Sequence, residues 1–198
     1  NKSNQSVLDY LTMPPKDRII EPHGGYLVNQ FADMNRDDLS SIFTISIDDN
    51  TQLDMINICN GTYSPVCGFM DEEEIHYVLD KNSLVNNVSW TMPIIFQCSK
   101  KEIKKIPVNG ETVGLKSKSN GKIIGIMKIN KVEKIKNINK VAKKWFGTAD
   151  GKHPGVNNFI NKGDYIISGE PKLFTNSDVS LLWVPFELTP KQSRDIFN

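Results

Sequence analysis

Histidine is the side chain in this sequence best suited to moving a proton or holding a metal ion at neutral pH. The three histidines, His23, His76 and His153, lie far apart along the chain. None of them forms a His-x-x-His or His-Glu-x-x-His pair. Each could act alone as a ligand or a base, but without a partner at ligand spacing we interpret all three as structural or surface residues.

A run of four acidic residues, 71–74, is the densest group of carboxylates and could bind a divalent cation. The run directly precedes aliphatic and aromatic residues at positions 75 and 77–79. Acidic side chains in the first turn stabilise a helix through its dipole. We therefore interpret the run as the start of a helix rather than as a metal site.

The cysteines Cys59, Cys67 and Cys98 are few, odd in number and not spaced as a zinc half-site. This pattern argues against a disulfide framework and indicates a reducing compartment. Cys67 lies beside a predicted turn, where an exposed thiol could act as a nucleophile. Because no histidine is placed beside it in the sequence, we interpret Cys67 as an inert small residue.

The short motifs that bind nucleotides or activate a nucleophile are missing from the sequence. It contains no Gly-x-x-x-x-Gly-Lys-Ser/Thr phosphate loop, no Gly-x-Gly-x-x-Gly fingerprint and no Gly-x-Ser-x-Gly nucleophile elbow. From residue chemistry alone, we therefore assign no catalytic, no substrate-binding and no metal-ligating residue.

The elements that would have to position any site are short strands and short helices, which predict a β-rich α+β fold. The predicted strands are 43–47, 90–97, 112–115, 122–129 and 163–169. Helices are predicted from the acidic run onward and over 134–146, 156–160 and 189–197. In 134–146, apolar residues share one face and lysines occupy the other, which is typical of an amphipathic helix.

The 198 residues, of which 38% are hydrophobic and 24% charged, are typical of a globular domain. The longest apolar stretch, 181–186, is far shorter than the roughly 20 residues of a membrane-spanning helix. The sequence opens without a signal-peptide pattern. We therefore expect a cytoplasmic protein with no membrane partner.

The net charge of +1 conceals two blocks of opposite sign. Residues 1–98 carry 5 basic and 14 acidic residues, a net of −9, whereas 99–153 carry 15 lysines and 4 acidic residues, a net of +11. Such blocks indicate either an internal electrostatic contact or a basic face for an anionic partner. With only three arginines in the chain, solvated lysine explains the basic block more simply than nucleic-acid binding does.

Several segments, taken in order, resemble one enzyme family. The segments are 22–29, with Pro22-His23-Gly24-Gly25, 58–70, with Tyr63-Ser64-Pro65, 90–94, 142–146, 153–156, 163–169 and 188–197. The family is ATP sulfurylase (sulfate adenylyltransferase), which typically has a Gly-[Phe/Tyr]-Ser-Pro-Leu-x-Gly-Phe phrase. Here Thr62 separates the glycine from Tyr63, and Val66-Cys67 replaces Leu-x. The resemblance runs from about residue 20 to residue 198.

The resemblance implies an N-terminal PUA-like pseudo-barrel that precedes an α/β catalytic domain. It implies a flexible extension over 1–20, the PUA-like domain over 21–187 and, over 188–198, the start of the helix that leads to the catalytic domain. In the family, Gln-x-Arg-Asn-Pro and His-x-x-His bind ATP and sulfate. Gln192-Ser193-Arg194 has the Gln-x-Arg spacing but continues Asp-Ile, and no histidine pair exists. The catalytic half is therefore expected to lie outside this chain.

The resemblance also implies a function and its partners. We expect the structural N-terminal domain of an enzyme that transfers the adenylyl group of ATP to sulfate, or the reverse. The chain alone is expected to be inactive and free of cofactors, with Mg-ATP used by the parent enzyme. Its partners would be its own catalytic domain, through apolar residues 181–186, and further subunits of a homo-oligomer. The alternative is a stand-alone PUA-like module that binds RNA through the lysine-rich segment 99–153.

Overall fold

A single mixed β-sheet forms the centre of the structure, a computed structural model that describes residues 19–33, 39–104, 106–107, 110–175 and 188–197. Its strands are β1 (Phe31–Ala32), β2 (Thr44–Ile47), β3 (Gln97–Cys98), β4 (Thr112–Ser117), β5 (Ile123–Lys134) and β6 (Tyr165–Phe174). The strand order is β1-β6-β5-β4-β2, with β3 paired to β6.

The long strands β4, β5 and β6 pair in antiparallel order, and β2 and β1 add in parallel at the two sides. The β5–β6 ladder runs from Gly125 opposite Leu173 to Lys134 opposite Tyr165. Its register shifts between Ile129 and Lys131, which is the irregularity of a β-bulge. The bulge bends β5, so its second half leaves the plane of the first half.

The edge strands β2 and β3 line the same cavity of about 380 Å³ without pairing with each other. The sheet therefore curls toward a barrel but, within the described residues, is not closed by hydrogen bonds. The Lys162 ammonium lies 2.9 Å from the Asp48 carboxylate at the rim of this gap. The predicted α+β fold is confirmed, and the sheet has an open seam between β2 and β3.

Six helices flank the sheet in the described part of the chain. They are α1 (Asp49–Cys59), α2 (Glu72–Lys81), α3 (Lys100–Ile103), α4 (Ile138–Phe146), α5 (Pro154–Asn161) and α6 (Pro190–Phe197). The core consists of the apolar faces of four of these helices packed on the sheet, in which consecutive residues such as Ile166 and Ile167 are buried on opposite faces of β6. Fully buried side chains include Met55, Ile58, Ile75, Leu115, Met127, Ile129, Val141 and Ile167.

The acidic run starts α2, as predicted. The Asp71 carboxylate accepts the Glu74 backbone N–H at 2.9 Å, and the Glu74 carboxylate accepts the Asp71 N–H at 3.0 Å. This reciprocal pair is a capping box, which satisfies two backbone donors that a helix start leaves without partners. The sequence pattern is therefore explained by helix capping.

The predicted helix over 134–146 begins later than the sequence pattern indicates. β5 continues to Lys134, and the Ile135 N–H donates to the Asp164 carbonyl at 2.8 Å. The helix begins only at Ile138, where the Asn137 side chain accepts the Lys140 N–H at 3.0 Å. Tertiary pairing to β6 therefore overrides the helical periodicity of the first residues.

The predicted strand over 90–97 is wrong except at its end, since only Gln97–Cys98 pairs as β3. Pro93 has no N–H to donate to a sheet ladder. The neighbouring carbonyl groups accept isolated hydrogen bonds and do not form a ladder. The Ile94 carbonyl accepts the Met70 N–H at 2.9 Å, and the Phe96 carbonyl accepts the Ile167 N–H at 3.0 Å. The segment is therefore a buried irregular connection.

The other predicted strands and helices are confirmed, with shifted ends. Strands β2, β4, β5 and β6 and helices α5 and α6 each overlap the segment predicted for them. Helix α1 is absent from the prediction although it is the longest helix described. The apolar segment 181–186 lies outside the described residues. None of the described helices is long and apolar enough to cross a membrane.

Candidate functional site

A cleft of about 300 Å³ opens between the segment 65–70, helix α2 and the turn after it. Its floor is apolar and includes Val66, Phe69, Met70, Val78 and Leu84. Its rim is polar and includes Tyr26, Cys67, Glu74, Tyr77, Asn86, Asn130 and Glu170. An apolar floor with a few polar groups is the usual composition of a ligand-binding cleft.

The segment 60–66, at the entrance of this cleft, is held by close backbone approaches. Gly61 has a φ of +88°, and a Cβ at this position would lie 2.5 Å from the Val28 carbonyl oxygen. The buried Ser64 hydroxyl accepts the Val28 N–H at 2.9 Å and donates to the Gly61 carbonyl at 2.6 Å. Only glycine fits at position 61, because both the conformation and the space exclude a side chain.

The turn at 23–25 packs onto the same segment. Gly24 has a φ of +77°, and a Cβ there would lie 2.6 Å from the Pro65 ring. The Tyr26 hydroxyl donates to the Pro65 carbonyl at 3.0 Å. The His23 Nε2–H donates to the Ser89 carbonyl at 2.7 Å, so this histidine ties the turn to the segment before Trp90.

Residues 68–70 form the third set of close contacts. Phe69 and Gly169 exchange two backbone hydrogen bonds, of 2.9 and 3.2 Å. A Cβ on Gly68 would lie 2.6 Å from the Gly169 carbonyl oxygen. The segments 22–29, 58–70, 90–94 and 163–169, which we call the cleft framework, are therefore joined in space, and all but 90–94 contribute residues to the lining of the cleft.

The cleft carries a negative electrostatic character. Its lining includes the carboxylates of Glu74 and Glu170, and no lysine, arginine or histidine is among the described residues that line it. Although Cys67 as a whole is exposed, partial desolvation of its thiol, followed by repulsion from Glu170, raises the pKa of that thiol. Burial also raises the pKa of Glu74, and the Asp71 carboxylate adds to that effect.

The residues of the cleft do not suit anionic substrates. A site for ATP or sulfate needs several cationic and amide donors directed at the phosphate or sulfate oxygens. This cleft instead presents carboxylates, phenols and an apolar floor. In the described residues, no group of three or more His, Cys, Asp or Glu side chains could hold a metal ion.

Residues 20–176 match the PUA-like domain family. The chain belongs to this family. It is also similar to the sulfate adenylyltransferase of Ignicoccus hospitalis, with 32% identity over 185 residues that cover 90% of this chain and 47% of the relative. A sulfate adenylyltransferase from a Synechococcus species is 29% identical over 184 residues, which cover 90% of this chain and 46% of the relative. The chain thus spans about half the length of these curated relatives, and the predicted resemblance is confirmed.

A solved structure described as a hexameric APS kinase from Thiobacillus denitrificans shares the fold of this PUA-like domain. It superposes with a TM-score of 0.62 at 23% sequence identity, over 90% of this chain and 31% of the other. At this identity the likeness concerns the fold.

The other two histidines of the PUA-like domain make local contacts that are not part of the cleft framework. His153 is the N-cap of α5, and its Nδ1 accepts the Val156 N–H at 3.4 Å. The Nε2 of His76 lies 3.9 Å from a carboxylate oxygen of Glu72, one turn earlier on α2. The structure brings none of the three histidines together, and their interpretation as structural or surface residues agrees with these contacts.

The three thiols of the PUA-like domain are free. Cys59 and Cys98 are buried, and burial raises the pKa of each to about 12. Cys67 is exposed at the rim of the cleft, and its pKa is also raised. A catalytic cysteine requires a lowered pKa, so the environment of Cys67 is the opposite of an activating one.

The acidic and basic blocks meet within the PUA-like domain. The Lys131 ammonium lies 2.5 Å from the Asp71 carboxylate, and the Lys136 ammonium lies 3.5 Å from Glu72. A third ion pair joins Lys144 of α4 to Asp80 of α2. We call residues 131–144, with their lysines, the lysine-rich face. Its ion pairs support the first of the two explanations for the charge blocks, an internal electrostatic contact.

The Gln-x-Arg pair of α6 serves the helix itself. The Gln192 side-chain oxygen accepts the Thr189 N–H at 2.9 Å, and the Thr189 hydroxyl accepts the Gln192 N–H at 3.2 Å. Arg194 donates to the Ile20 carbonyl. These contacts cap the helix and attach it to the first residues that the structure describes.

Sequence reasoning missed the cleft itself. Its polar residues Tyr26, Glu74 and Glu170 are separated by tens of residues and show no motif spacing. The only signal was indirect, because three of the segments that resemble the sulfurylases, 22–29, 58–70 and 163–169, contribute to the lining of the cleft. Spacing along the chain carries no information about contacts made by packing.

Proposed function

We propose that this chain is the N-terminal, non-catalytic domain of a sulfate adenylyltransferase, which transfers the adenylyl group of ATP to sulfate or catalyses the reverse reaction. The observation that carries the proposal is the coverage of the relatives. The match extends over 90% of this chain but only 47% of the Ignicoccus hospitalis enzyme. Since the match covers about half of each relative, the other half of those proteins can hold a catalytic domain.

The chemistry of the described residues supports this division of labour. Transfer of an adenylyl group to sulfate brings two anions together and requires cationic groups and magnesium around the phosphates. The cleft offers the carboxylates of Glu74 and Glu170 instead. We propose that Mg-ATP binds to the catalytic domain of the parent enzyme, and that this chain needs no cofactor of its own.

The role of the domain would be to pack against the catalytic domain and to contribute to subunit contacts of a homo-oligomer. Helix α6 supports this role, since Leu188, Ile196 and Phe197 at its two ends are 51, 64 and 75% exposed. Burial of such side chains against another domain stabilises the contact by about 25 cal/mol for each Å² of apolar surface removed from water. These residues lie where the resemblance places the junction with the catalytic domain.

A chimeric enzyme tests the proposal. The region of the Synechococcus sulfate adenylyltransferase that matches this chain is replaced by the chain, and sulfate-dependent release of pyrophosphate from Mg-ATP is measured. We expect activity within about tenfold of the parental enzyme, because an intact supporting domain leaves the catalytic residues in place. The isolated chain is expected to release no pyrophosphate.

Two outcomes would overturn the proposal. The first is sulfate-dependent pyrophosphate release by the isolated chain, which would place a catalytic site within it. The second is a chimera that is folded by circular dichroism and thermal unfolding but inactive. A chimera without α6 serves as the matched control, and we expect it to lose oligomeric assembly or thermal stability.

The RNA-binding alternative has weaker support. Lys131, Lys136 and Lys144 of the lysine-rich face are engaged with carboxylates of the same domain. Trp145 packs on Phe146 and Phe159 with ring centroids 4.7 and 5.4 Å apart, so it is not free to stack on bases. This alternative predicts that the chain binds single-stranded RNA. The affinity would fall steeply between roughly 50 and 200 mM salt, because each contact with a phosphate releases counterions.

A further inference from the structure

The cleft is not used by the function proposed above, yet its groups are arranged as a binding site. Carboxylates of Glu74 and Glu170 stand on its rim, above a floor that includes Phe69, Met70 and Val78. Its volume of about 300 Å³ is at the lower end of the range for small-ligand clefts. A compound that fits would need a charged end for the rim and an apolar body for the floor.

The two carboxylates lack a cationic partner in the described part of the chain. One oxygen of Glu74 accepts the Asp71 N–H at 3.0 Å, and no donor is described for the other. Glu170 lies opposite Lys128 in the β5–β6 ladder, but no ion pair joins them within 4.0 Å. Lys131, the cation that acts on Glu74, is bound to Asp71 at 2.5 Å and does not line the cleft.

Aromatic and amide groups complete the rim. Tyr26 and Tyr77 line the cleft, and aromatic rings attract ammonium and guanidinium groups through their quadrupole. Asn86 and Asn130 add amide groups; the Asn86 oxygen accepts the Val88 N–H at 3.3 Å and has a second lone pair. Burial, and to a smaller extent Cys67 and Glu170, raises the pKa of Tyr26. Carboxylates, aromatic rings and amide oxygens together match an organic cation.

We propose that this cleft binds an ammonium or guanidinium group carried on a short apolar chain. The charged group would lie between the carboxylates of Glu74 and Glu170, and the apolar chain would pack on Phe69 and Met70. Such a group can come from a free amine or from a lysine or arginine side chain of another protein. The chemistry of recognition is the same in both cases.

Nuclear magnetic resonance titration of the 198-residue chain tests the proposal. The probes are butylguanidinium, butylammonium, the neutral 1-butanol and the anionic butyrate, at constant ionic strength. We expect the two cations to shift the amide signals of Gly68, Asn86 and Glu170 in a saturable way. 1-Butanol is expected to bind about fivefold or more weakly, because it lacks the charge that the carboxylates and rings attract.

Charge-neutralising variants localise the effect. Glu170→Gln is expected to weaken butylguanidinium binding by about fivefold, and Glu111→Gln, an exposed carboxylate outside the cleft, is the matched control with unchanged binding. Glu74→Gln is the second variant, since glutamine keeps the capping-box hydrogen bond and the fold of α2. Equal binding of 1-butanol and the cations, or unchanged binding in both cleft variants, would overturn the proposal.

A peptide arm distinguishes the source of the cation. Acetyl-Leu-Arg-Leu-amide is compared with butylguanidinium and with acetyl-Leu-Gln-Leu-amide. Tighter binding of the arginine peptide than of butylguanidinium assigns the cleft to a basic side chain of a protein segment. Weaker binding of the peptide assigns it to a free amine. Both results agree with recognition of a cation. Equal binding of the arginine and glutamine peptides would contradict the proposal.

Discussion

The cleft framework and the lysine-rich face are stabilised in different ways. In the cleft framework, Gly61, Gly68 and Gly169 leave no room for a side chain, and the buried Ser64 satisfies backbone groups from two segments. In the lysine-rich face, the contacts are ion pairs whose lysine ends reach into solvent, and the Lys136 side chain is 89% exposed. In the cleft framework, the available space and the hydrogen bonds determine which residue types fit. In the lysine-rich face, the sign of the charge determines this.

Four of the seven segments that resemble the sulfurylases belong to the cleft framework. A close backbone approach tolerates a single residue type, so a phrase such as Pro-His-Gly-Gly has few alternatives at equal stability. An exposed ion pair contributes little and can be replaced by other solvated residues. Substitutions in the two regions should therefore differ strongly in their effect on the free energy of unfolding.

Gly61→Ala is expected to have the largest effect. The methyl group meets the Val28 carbonyl at 2.5 Å, and alanine disfavours the φ of +88°. We expect a loss of about 3 kcal/mol in the free energy of unfolding, measured by urea denaturation. Gly121→Ala is the control, since Gly121 has a φ of +70° but no atom within 4 Å of a Cβ. An equal loss in both variants would mean that packing at the cleft framework contributes nothing.

Ser64→Ala is expected to have the next largest effect. It removes the hydrogen bonds of 2.9 and 2.6 Å to Val28 and Gly61 and leaves the buried Val28 N–H without an acceptor. A loss of about 2 kcal/mol follows from burying such an unpaired donor. Thermal and urea unfolding measure it, with Ser119→Ala on the exposed surface as the control. A variant as stable as the parent chain would show that water replaces the hydroxyl.

Part of this architecture was predictable from the sequence. The capping box at Asp71 and Glu74 has a local signature, since its two members are three residues apart and interact with each other. Strands β4 and β5 were also predicted from local alternation, and Gly121, with a φ of +70°, lies in the turn that joins them. Local signals did not suffice everywhere, since helix α3 has a capping box of Ser99 and Glu102 and is absent from the prediction.

The missed elements depend on tertiary contacts. Helix α1 places Thr51, Met55 and Ile58 against the sheet, but its apolar and polar residues are so mixed that the periodicity is weak. Residues 93–96 are buried and apolar, like a strand, yet Pro93 and single hydrogen bonds to Met70 and Ile167 keep the segment irregular. The cleft was unpredictable for the same reason, because its contacts, such as His23 to Ser89, span 66 residues.

The ion pair between Asp71 and Lys131 predicts an acid dependence of stability. Partial burial acts to raise the pKa of Asp71, but the hydrogen bonds from Lys131 and the Glu74 N–H bring it below its ordinary value. A carboxylate with a lower pKa in the folded state stabilises the protein above its ordinary pKa. This contribution is lost as the pH falls through the folded-state value, below about pH 4.

Asp71→Asn isolates the charge, because asparagine is also a good N-cap. We expect the variant to be less stable than the parent chain at pH 7, by less than the effect of Ser64→Ala, and the difference to shrink toward pH 3. Urea denaturation at a series of pH values measures both curves. Parallel curves over this range would show that the pair with Lys131 adds no pH-dependent stability.

Lys136→Gln is expected to have the smallest effect. The ammonium lies 3.5 Å from Glu72, but the backbone N–H of residue 136 also donates to that carboxylate at 2.7 Å and remains in the variant. We expect a loss of at most about 0.5 kcal/mol, which 0.5 M salt abolishes by screening the exposed charge. A larger, salt-independent loss would place the lysine-rich face in the same class as the cleft framework. Its charge would then be a structural requirement, and the difference between the two regions would disappear.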